Sequence, residues 1–104
     1  MSIPQKKLTI GLFGFGVVGT GLYTVLQQTP SLNAEIKQVC IKHPEKKRAA
    51  PEYLFTTDAT VLLEDAEINV IVELIDDADA AYHIVKHALT AGKAVVSANK
   101  KMIA

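Results

Sequence analysis

The sequence contains little cysteine and no tryptophan, and neither sign of charge is in excess. Of its 104 residues, 11 are Lys or Arg and 11 are Asp or Glu, so the formal net charge is zero. This balance gives no indication of a nucleic-acid partner or of an acidic membrane surface. Cys40 is the only cysteine, which excludes a disulfide within the chain and fits a reducing cytosolic compartment. We expect its side chain to be a small buried hydrophobic group.

Long hydrophobic runs are also missing. No apolar stretch reaches the roughly 18 residues of a membrane span, and the N-terminus has no apolar core of the kind that signal peptides carry. We therefore expect a cytoplasmic protein with no membrane partner. Apolar residues make up 49% of the chain, and it has neither an internal repeat nor a low-complexity tract. That composition is typical of one compact domain, which we predict over residues 1–104.

The chain does contain an alternation of short apolar runs with segments of helical spacing, which predict strands and helices respectively. We predict strands over 7–13, 35–42, 69–75 and 94–98, helices over 17–28 and 79–91 (the latter ended by Gly92), a short helix capped by Thr57 or Asp58, a loop over 43–57, and the start of a further helix over 99–104. Strands that alternate with helices indicate parallel β-α-β units with right-handed crossovers. The predicted fold is therefore α/β, with helices on both faces of a parallel sheet.

A glycine-rich hexapeptide joins the first predicted strand to the first predicted helix and has the pattern G-x-G-x-x-G: Gly14-Phe15-Gly16-Val17-Val18-Gly19. In the dinucleotide-binding fingerprint the first glycine allows a tight turn, the second lets the pyrophosphate approach the backbone, and the third lets the helix pack closely on the strand. The anion then lies on free N–H groups at the positive end of the helix. An ordinary strand-to-helix turn is the alternative, but the position after a buried strand favours the fingerprint. The sequence therefore predicts a Rossmann-type parallel sheet, truncated after about five strands.

The end of the second predicted strand carries no acidic residue. Folds specific for NAD often place Asp or Glu there to accept a hydrogen bond from the ribose 2′-hydroxyl. Here the strand ends in Lys42, and three more basic residues follow: Lys46, Lys47 and Arg48. Because Lys42 can neutralise a 2′-phosphate, we predict NADP as the preferred cofactor, with NAD as the alternative. The other interpretation of the basic run is a solvated loop.

Two histidines in the last predicted helix, His83 and His87, have a spacing that can hold a metal ion. The apolar stripe of that helix lies on another face, and the sequence offers no third ligand. We predict a solvated helix face here and no metal site.

Three segments of the chain, in this order and spacing, resemble the N-terminal domain of homoserine dehydrogenase: the glycine motif with Gly21 just after it, Val72-Glu73-Leu74-Ile75, and Gly92-Lys93-Ala94-Val95-Val96-Ser97-Ala98-Asn99-Lys100. The last segment is much more specific than the glycine motif. The resemblance implies an NAD(P)-dependent oxidoreductase that reduces L-aspartate 4-semialdehyde to L-homoserine. That reaction belongs to threonine, methionine and isoleucine biosynthesis.

The resemblance also implies roles for individual residues. The pyrophosphate would contact Gly14, Gly16, Val17, Val18 and Gly19, and the nicotinamide ribose and substrate would lie near Ser97, Asn99 and Lys100. Lys100 matches a lysine of the family's active site and is the expected catalytic residue. Independently of the family, Lys100 follows a predicted strand at its carboxyl end, where open α/β sheets place their ligands. The alternative is a surface lysine like Lys101.

One departure from the family pattern follows the second segment. Many members have Gly-Gly there, close to the cofactor, whereas this chain has Asp76-Asp77, with Asp79 soon after. Carboxylates at this place cap helix N-termini, and the intact Asn99-Lys100 pattern favours a tolerated variation. The other interpretation is that these carboxylates occupy the anion-binding helix end beside the cofactor or repel the anion there, so that the cofactor binds differently or with lower affinity.

Members of the family are much longer and add a substrate and dimerisation domain. We therefore expect this chain to be a fragment that binds the cofactor without turnover, and a homodimer to form only with the missing domain. Two alternatives remain: a stand-alone nucleotide-sensing module, and the first domain of another amino-acid or semialdehyde dehydrogenase.

Overall fold

A computed structural model describes residues 7–98, and these form a five-stranded sheet. The strands, in chain order, are β1 (Leu8–Phe13), β2 (Ala34–Cys40), β3 (Phe55–Thr56), β4 (Val70–Glu73) and β5 (Ala94–Ser97). Their order across the sheet is β3-β2-β1-β4-β5, and every neighbouring pair is parallel. The predicted Rossmann-type α/β fold is therefore confirmed.

Within residues 7–98, three α-helices connect the strands: α1 (Val17–Gln28), α2 (Ala59–Leu63) and α3 (Ala78–Thr90). The bounds of α1 agree with the prediction, and α3 begins one residue before the predicted start. The predicted helix over 99–104 lies outside the described residues. Asp58, rather than Thr57, caps α2, since its Oδ1 accepts a hydrogen bond from the N of Thr60 at 3.0 Å. Gly92 follows the end of α3 with φ +80°, as expected of a glycine that ends a helix.

The predicted loop over 43–57 is wrong at its end. A short 3₁₀ turn over Glu52–Leu54 leads into β3, which has two residues. So short a strand has no alternation to detect in the sequence. It joins the sheet through its pairing with β2 and a hydrogen bond from the N of Ile41 to the O of Thr56 at 2.9 Å.

The hydrophobic core is divided by the sheet into two layers. On one face, Leu12, Val39 and their buried neighbours pack against side chains of α1 such as Leu22 and Leu26. On the other face, Ile71 packs with residues from α2 and α3, among them Leu62, Leu63 and Ala88. The two layers confirm the prediction of helices on both faces of the sheet.

A buried lysine links the segments that lead into β4 and β5. Lys93 is 8% exposed, and its Nζ donates hydrogen bonds to the O of Asp65 at 2.6 Å and to the O of Ile68 at 2.7 Å. It thereby ties the turn between α2 and β4 to the start of β5. The part of the homoserine dehydrogenase pattern that contains Lys93 thus has a structural explanation.

We expect Lys93→Met to lower the free energy of unfolding by about 2 kcal/mol, because the methionine keeps the packing of the stem but leaves two carbonyl groups without their charged donor. Urea denaturation measures the effect. Lys86→Met, at an exposed position of α3, is the matched control and should change stability by less than about 0.5 kcal/mol. Equal stability of the two variants would contradict the structural role of Lys93.

Candidate functional site

The candidate site lies at the carboxyl ends of β1 and β4, where the strand order reverses. From β1 the chain continues to β2 and β3 on one side, and it then crosses to β4 and β5 on the other. Open α/β sheets bind their ligands in the crevice outside such a reversal. The glycine motif follows β1 directly, so the topology places it at this crevice.

Gly14 makes the turn out of β1. Its φ is +97°, a backbone conformation that residues with a side chain rarely adopt. Its N donates a hydrogen bond to the O of Cys40 at 3.0 Å, and a Cβ at Gly14 would lie 3.4 Å from Cγ2 of Ile75. The turn is therefore held between the carboxyl ends of β2 and β4.

The other two glycines of the motif serve different purposes. A Cβ at Gly19 would lie 2.7 Å from the backbone O of Gly14, so only glycine lets α1 approach the turn this closely. At Gly16, by contrast, no atom of the described residues beyond Gly16 and its two chain neighbours lies within 4 Å of the position that a Cβ would take. The protein's own packing explains Gly19, and it leaves open space above Gly16.

The first turn of α1 faces solvent. Val17 is 92% exposed and Val18 is 68% exposed, although both side chains are apolar. Among the described residues, no side chain caps this helix at Gly16, and its first turn carries no acidic residue. The N-terminal N–H groups and the helix dipole together make such an end suited to an anion.

Glu73 is buried beside this crevice. In the sequence, this residue stands out only as part of the family pattern. Its exposure is 0%, and its carboxylate accepts hydrogen bonds from the N of Ile75 and from Oγ of Ser97, both at 2.6 Å. The available signal was the residue type itself, because an acidic residue inside an apolar run is almost never fully buried unless it is partnered.

Ser97 ends β5 directly beside Glu73, its register partner on β4. The N of Ala98 donates to the O of Glu73 at 3.0 Å, so the backbone after β5 stays hydrogen-bonded to the last residue of β4. Of the residues that the resemblance placed near the nicotinamide, the structure brings Ser97 to the same edge of the sheet as the glycine motif. Asn99 and Lys100, the expected catalytic residue, lie outside the described residues.

A groove of about 930 Å³ opens beyond the carboxyl ends of β2 and β3. Its wall includes Lys46, Lys47 and Arg48 together with two acidic residues, Glu45 and Glu52. The guanidinium of Arg48 lies 5.4 Å from the centroid of the Phe55 ring, and its Nη1 donates to the O of His43 at 2.8 Å and to the O of Lys46 at 3.1 Å.

Lys42 itself is exposed two residues after the end of β2 and does not line this groove. The structure therefore separates the four basic residues that the sequence grouped together. Three of them form a groove wall, and Lys42 lies in the chain between β2 and that wall.

The two aspartates that replace Gly-Gly differ in their surroundings. Asp77 caps α3, since its Oδ1 accepts hydrogen bonds from the N of Asp79 at 3.0 Å and from the N of Ala80 at 3.2 Å. The predicted capping role is thus confirmed for Asp77. Asp76 is exposed at the end of the segment that leads out of β4. The effect of the two carboxylates on cofactor affinity stays a prediction.

Cys40 is only half-buried and packs against the edge of one core layer, so the expectation of a small buried side chain is correct only in part. As the last residue of β2, it lies at the edge of the sheet that faces the crevice. Burial raises the pKa of its thiol, and the negative charge of Asp58 raises it further. The thiol therefore stays protonated at neutral pH and adds no negative charge beside the glycine turn.

His83 and His87 are both exposed on α3, as the position of the apolar stripe predicted. Within residues 7–98, no three His, Cys, Asp or Glu side chains are grouped so that they could hold a metal ion. In the same range, no helix has the length and apolar character needed to cross a membrane.

Comparison with known proteins identifies relatives of the chain. The family described as "Homoserine dehydrogenase, NAD binding domain" matches residues 14–104. Homoserine dehydrogenase of Helicobacter pylori is 34% identical over 96% of this chain, and that of Synechocystis is 35% identical over 91% of it. The chain covers 25% and 24% of these relatives, so it spans about a quarter of their length.

Solved structures give the same result. A homoserine dehydrogenase from Thiobacillus denitrificans superposes with a TM-score of 0.82 at 33% identity, over 94% of this chain and 25% of the other. The S. aureus enzyme at pH 6.0 superposes with a TM-score of 0.80 at 31% identity, over 92% of this chain and 27% of the other.

Proposed function

The chain belongs to the NAD-binding domain family of homoserine dehydrogenases, and from this premise we propose that it holds the cofactor of an enzyme that reduces L-aspartate 4-semialdehyde to L-homoserine. A nicotinamide dinucleotide is the ligand of the family. The observation that carries the proposal is the glycine turn at the strand reversal, because it ends in an uncapped helix start with open space above Gly16. The reaction and its substrate belong to the whole protein.

The chain's own residues bind and orient the dinucleotide. The N–H groups at the start of α1, from Val17 to Gly19, donate to the pyrophosphate, and the absence of a side chain at Gly16 lets that anion reach them. The exposed side chain of Val17 gives the bound ligand an apolar contact. When bound, the nicotinamide ring supplies the hydride of the reduction.

We place the remaining parts of the enzyme outside this chain, since it spans about a quarter of its relatives. Hydride transfer requires a substrate that is held against the nicotinamide in near-attack geometry. We propose that the substrate wall and the dimer contacts belong to the rest of the protein, which works in the cytoplasm. The lone cysteine supports that compartment.

The proposal is tested by following NADPH oxidation with L-aspartate 4-semialdehyde. Two proteins are compared: the 104-residue chain, and the product of the gene translated beyond Ala104. We expect the longer protein to turn over and the 104-residue chain to bind NADPH without turnover. Oxidation of NADPH by the 104-residue chain above the rate without protein would contradict the proposal that substrate reduction requires the rest of the protein. A longer protein that binds NADPH but leaves this substrate unchanged would indicate another dehydrogenase, and a stop codon after Ala104 would favour a nucleotide sensor.

We further propose that NADP is preferred over NAD. Adenosine binds beside the end of β2 in this fold, which is where the basic groove opens. The strand is followed by Lys42 rather than by an acidic residue, and the wall of the groove contains three cations and two carboxylates. Arg48 donates hydrogen bonds to two backbone carbonyls and so stabilises the basic loop, which carries Lys46, Lys47 and Arg48. The positive charges of this loop therefore lie near the expected place of a 2′-phosphate.

We expect Lys42→Ala to weaken NADPH binding by about tenfold, as the loss of one phosphate contact implies, and to leave NADH binding unchanged. Calorimetric titration of both cofactors measures the two dissociation constants. Lys86→Ala, at an exposed position of α3, is the matched charge control and should affect the binding of neither cofactor. A wild-type chain that binds NADH more tightly than NADPH would contradict the preference. An equal loss for both cofactors in Lys42→Ala would contradict the assignment to the 2′-phosphate.

A further inference from the structure

Glu73 is a charged side chain without accessible surface at the carboxyl edge of the sheet. The other residues of its strand, Val70–Val72, are apolar. Burial of an ionised carboxylate costs free energy unless hydrogen bonds compensate it. An apolar side chain would complete the core without that cost, so stability alone does not explain a glutamate here.

Both carboxylate oxygens of Glu73 accept hydrogen bonds from groups that border the crevice. Oε1 accepts from the N of Ile75 at 2.6 Å, and Oε2 accepts from Oγ of Ser97 at 2.6 Å. The main-chain O of Glu73 also accepts from the N of Ala98 at 3.0 Å. A single residue therefore fixes the turn that follows β4, the Ser97 hydroxyl at the end of β5 and the backbone at Ala98.

These contacts lie on the half of the sheet away from the basic groove. If the adenosine lies over β2 and β3, then a dinucleotide that crosses the strand reversal places its other half over β4 and β5. The hydroxyl of Ser97 donates to Oε2 of Glu73, so its proton is directed at Glu73. Toward a ligand, the Ser97 oxygen is then an acceptor, which suits a ribose hydroxyl or a carboxamide NH₂ group.

We propose that Glu73 is a positioning residue for the nicotinamide half of the cofactor and that it acts through Ser97. The proposal rests on the dinucleotide binding proposed above. Glu73 does not touch the ligand, since it is fully buried. It holds the Ser97 hydroxyl in one orientation and fixes the adjoining backbone, so that the acceptor is in place before the ligand arrives.

The test compares two ligands that differ by the nicotinamide riboside: NADPH and 2′-phospho-ADP, which keeps the adenosine half and the pyrophosphate. Calorimetric titration gives both dissociation constants for the wild-type chain, Glu73→Gln, Ser97→Ala and the double variant. In Glu73→Gln the amide oxygen still accepts from the N of Ile75, but the amide nitrogen cannot accept from the Ser97 hydroxyl. Asn69→Ala is the matched control, because it removes two hydrogen bonds at the opposite edge of the sheet, from Asn69 Nδ2 to the O of Lys7 and from the N of Thr9 to Asn69 Oδ1.

We expect Glu73→Gln and Ser97→Ala each to weaken NADPH binding by about tenfold and to change the binding of 2′-phospho-ADP by less than about twofold. The double variant should be no weaker than either single variant, because the two residues act through one contact. Asn69→Ala should lower the melting temperature and leave the ratio of the two affinities unchanged.

The proposal is overturned if Glu73→Gln lowers both affinities equally, if a folded Ser97→Ala chain binds NADPH as the wild type does, or if the two losses multiply in the double variant. Ser97→Ala keeps the test decisive if Glu73→Gln does not fold. Failure of the proposed function gives a different result, since the wild-type chain would then bind neither ligand.

Discussion

Gly16→Ala should weaken NADPH binding by more than about tenfold while the fold stays intact. The backbone at Gly16 has φ −82° and ψ −151°, an extended conformation open to alanine, and no described atom would meet the new Cβ within 4 Å. The methyl group would instead occupy the space that the pyrophosphate needs in order to approach the N–H groups of α1. Because Gly16 is the N-cap, we expect a loss of stability of about 1 kcal/mol or less.

The measurement for Gly16→Ala is a calorimetric titration with NADPH, together with urea denaturation of the same sample. Gly21→Ala is the matched control, since Gly21 lies on the same helix and no described atom beyond its chain neighbours and the helix's own backbone is within 4 Å of its Cβ position. We expect this control to gain up to about 1 kcal/mol of stability from helix propensity and to bind NADPH as the wild type does. Wild-type affinity in Gly16→Ala would mean that no ligand lies above this glycine.

Gly19→Ala should have the opposite balance of effects, with a large loss of stability that does not depend on a ligand. Its Cβ would lie 2.7 Å from the backbone O of Gly14, which is too close for any native contact. Either α1 or the glycine turn must shift, and such overpacking costs about 2–3 kcal/mol. We also expect weaker NADPH binding, because the shift separates the turn from the helix start.

Urea denaturation of Gly19→Ala without cofactor measures that loss directly. Gly21→Ala again serves as the control, because it introduces the same methyl group two residues further along α1. If Gly19→Ala is as stable as Gly21→Ala, the close approach of α1 to the Gly14 turn is not a constraint on the fold.

The sequence was sufficient for the elements that have strong local signals. The spacing of Val18, Leu22, Val25 and Leu26, with Pro30 beyond, determines the bounds of α1, and helical spacing defines α3 equally well. β3 could not be predicted, because a strand of two residues is defined by its neighbour β2 rather than by its own pattern. Tertiary context also decided the burial of Cys40, since the end of a strand is less enclosed than its middle.

The candidate site was predictable to the extent that a local motif defines it. The G-x-G-x-x-G pattern identified the turn and the helix start, since its spacing is itself the geometric requirement. The partnership between Glu73 and Ser97 was not predictable, because the two residues are 24 positions apart and meet only when β4 pairs with β5. The groove was not predictable for the same reason, because it depends on the contact between Arg48 and the ring of Phe55.

The central claim is that the glycine turn of this chain binds a nicotinamide dinucleotide, and thermal unfolding over a concentration series of NADPH and of NADH tests it most directly. A ligand at about 100 times its dissociation constant adds about 2.7 kcal/mol of stability. For a domain of this size we therefore expect a rise in melting temperature of about 10–20 °C, larger with NADPH than with NADH. A folded sample whose melting temperature changes with neither cofactor would contradict the claim.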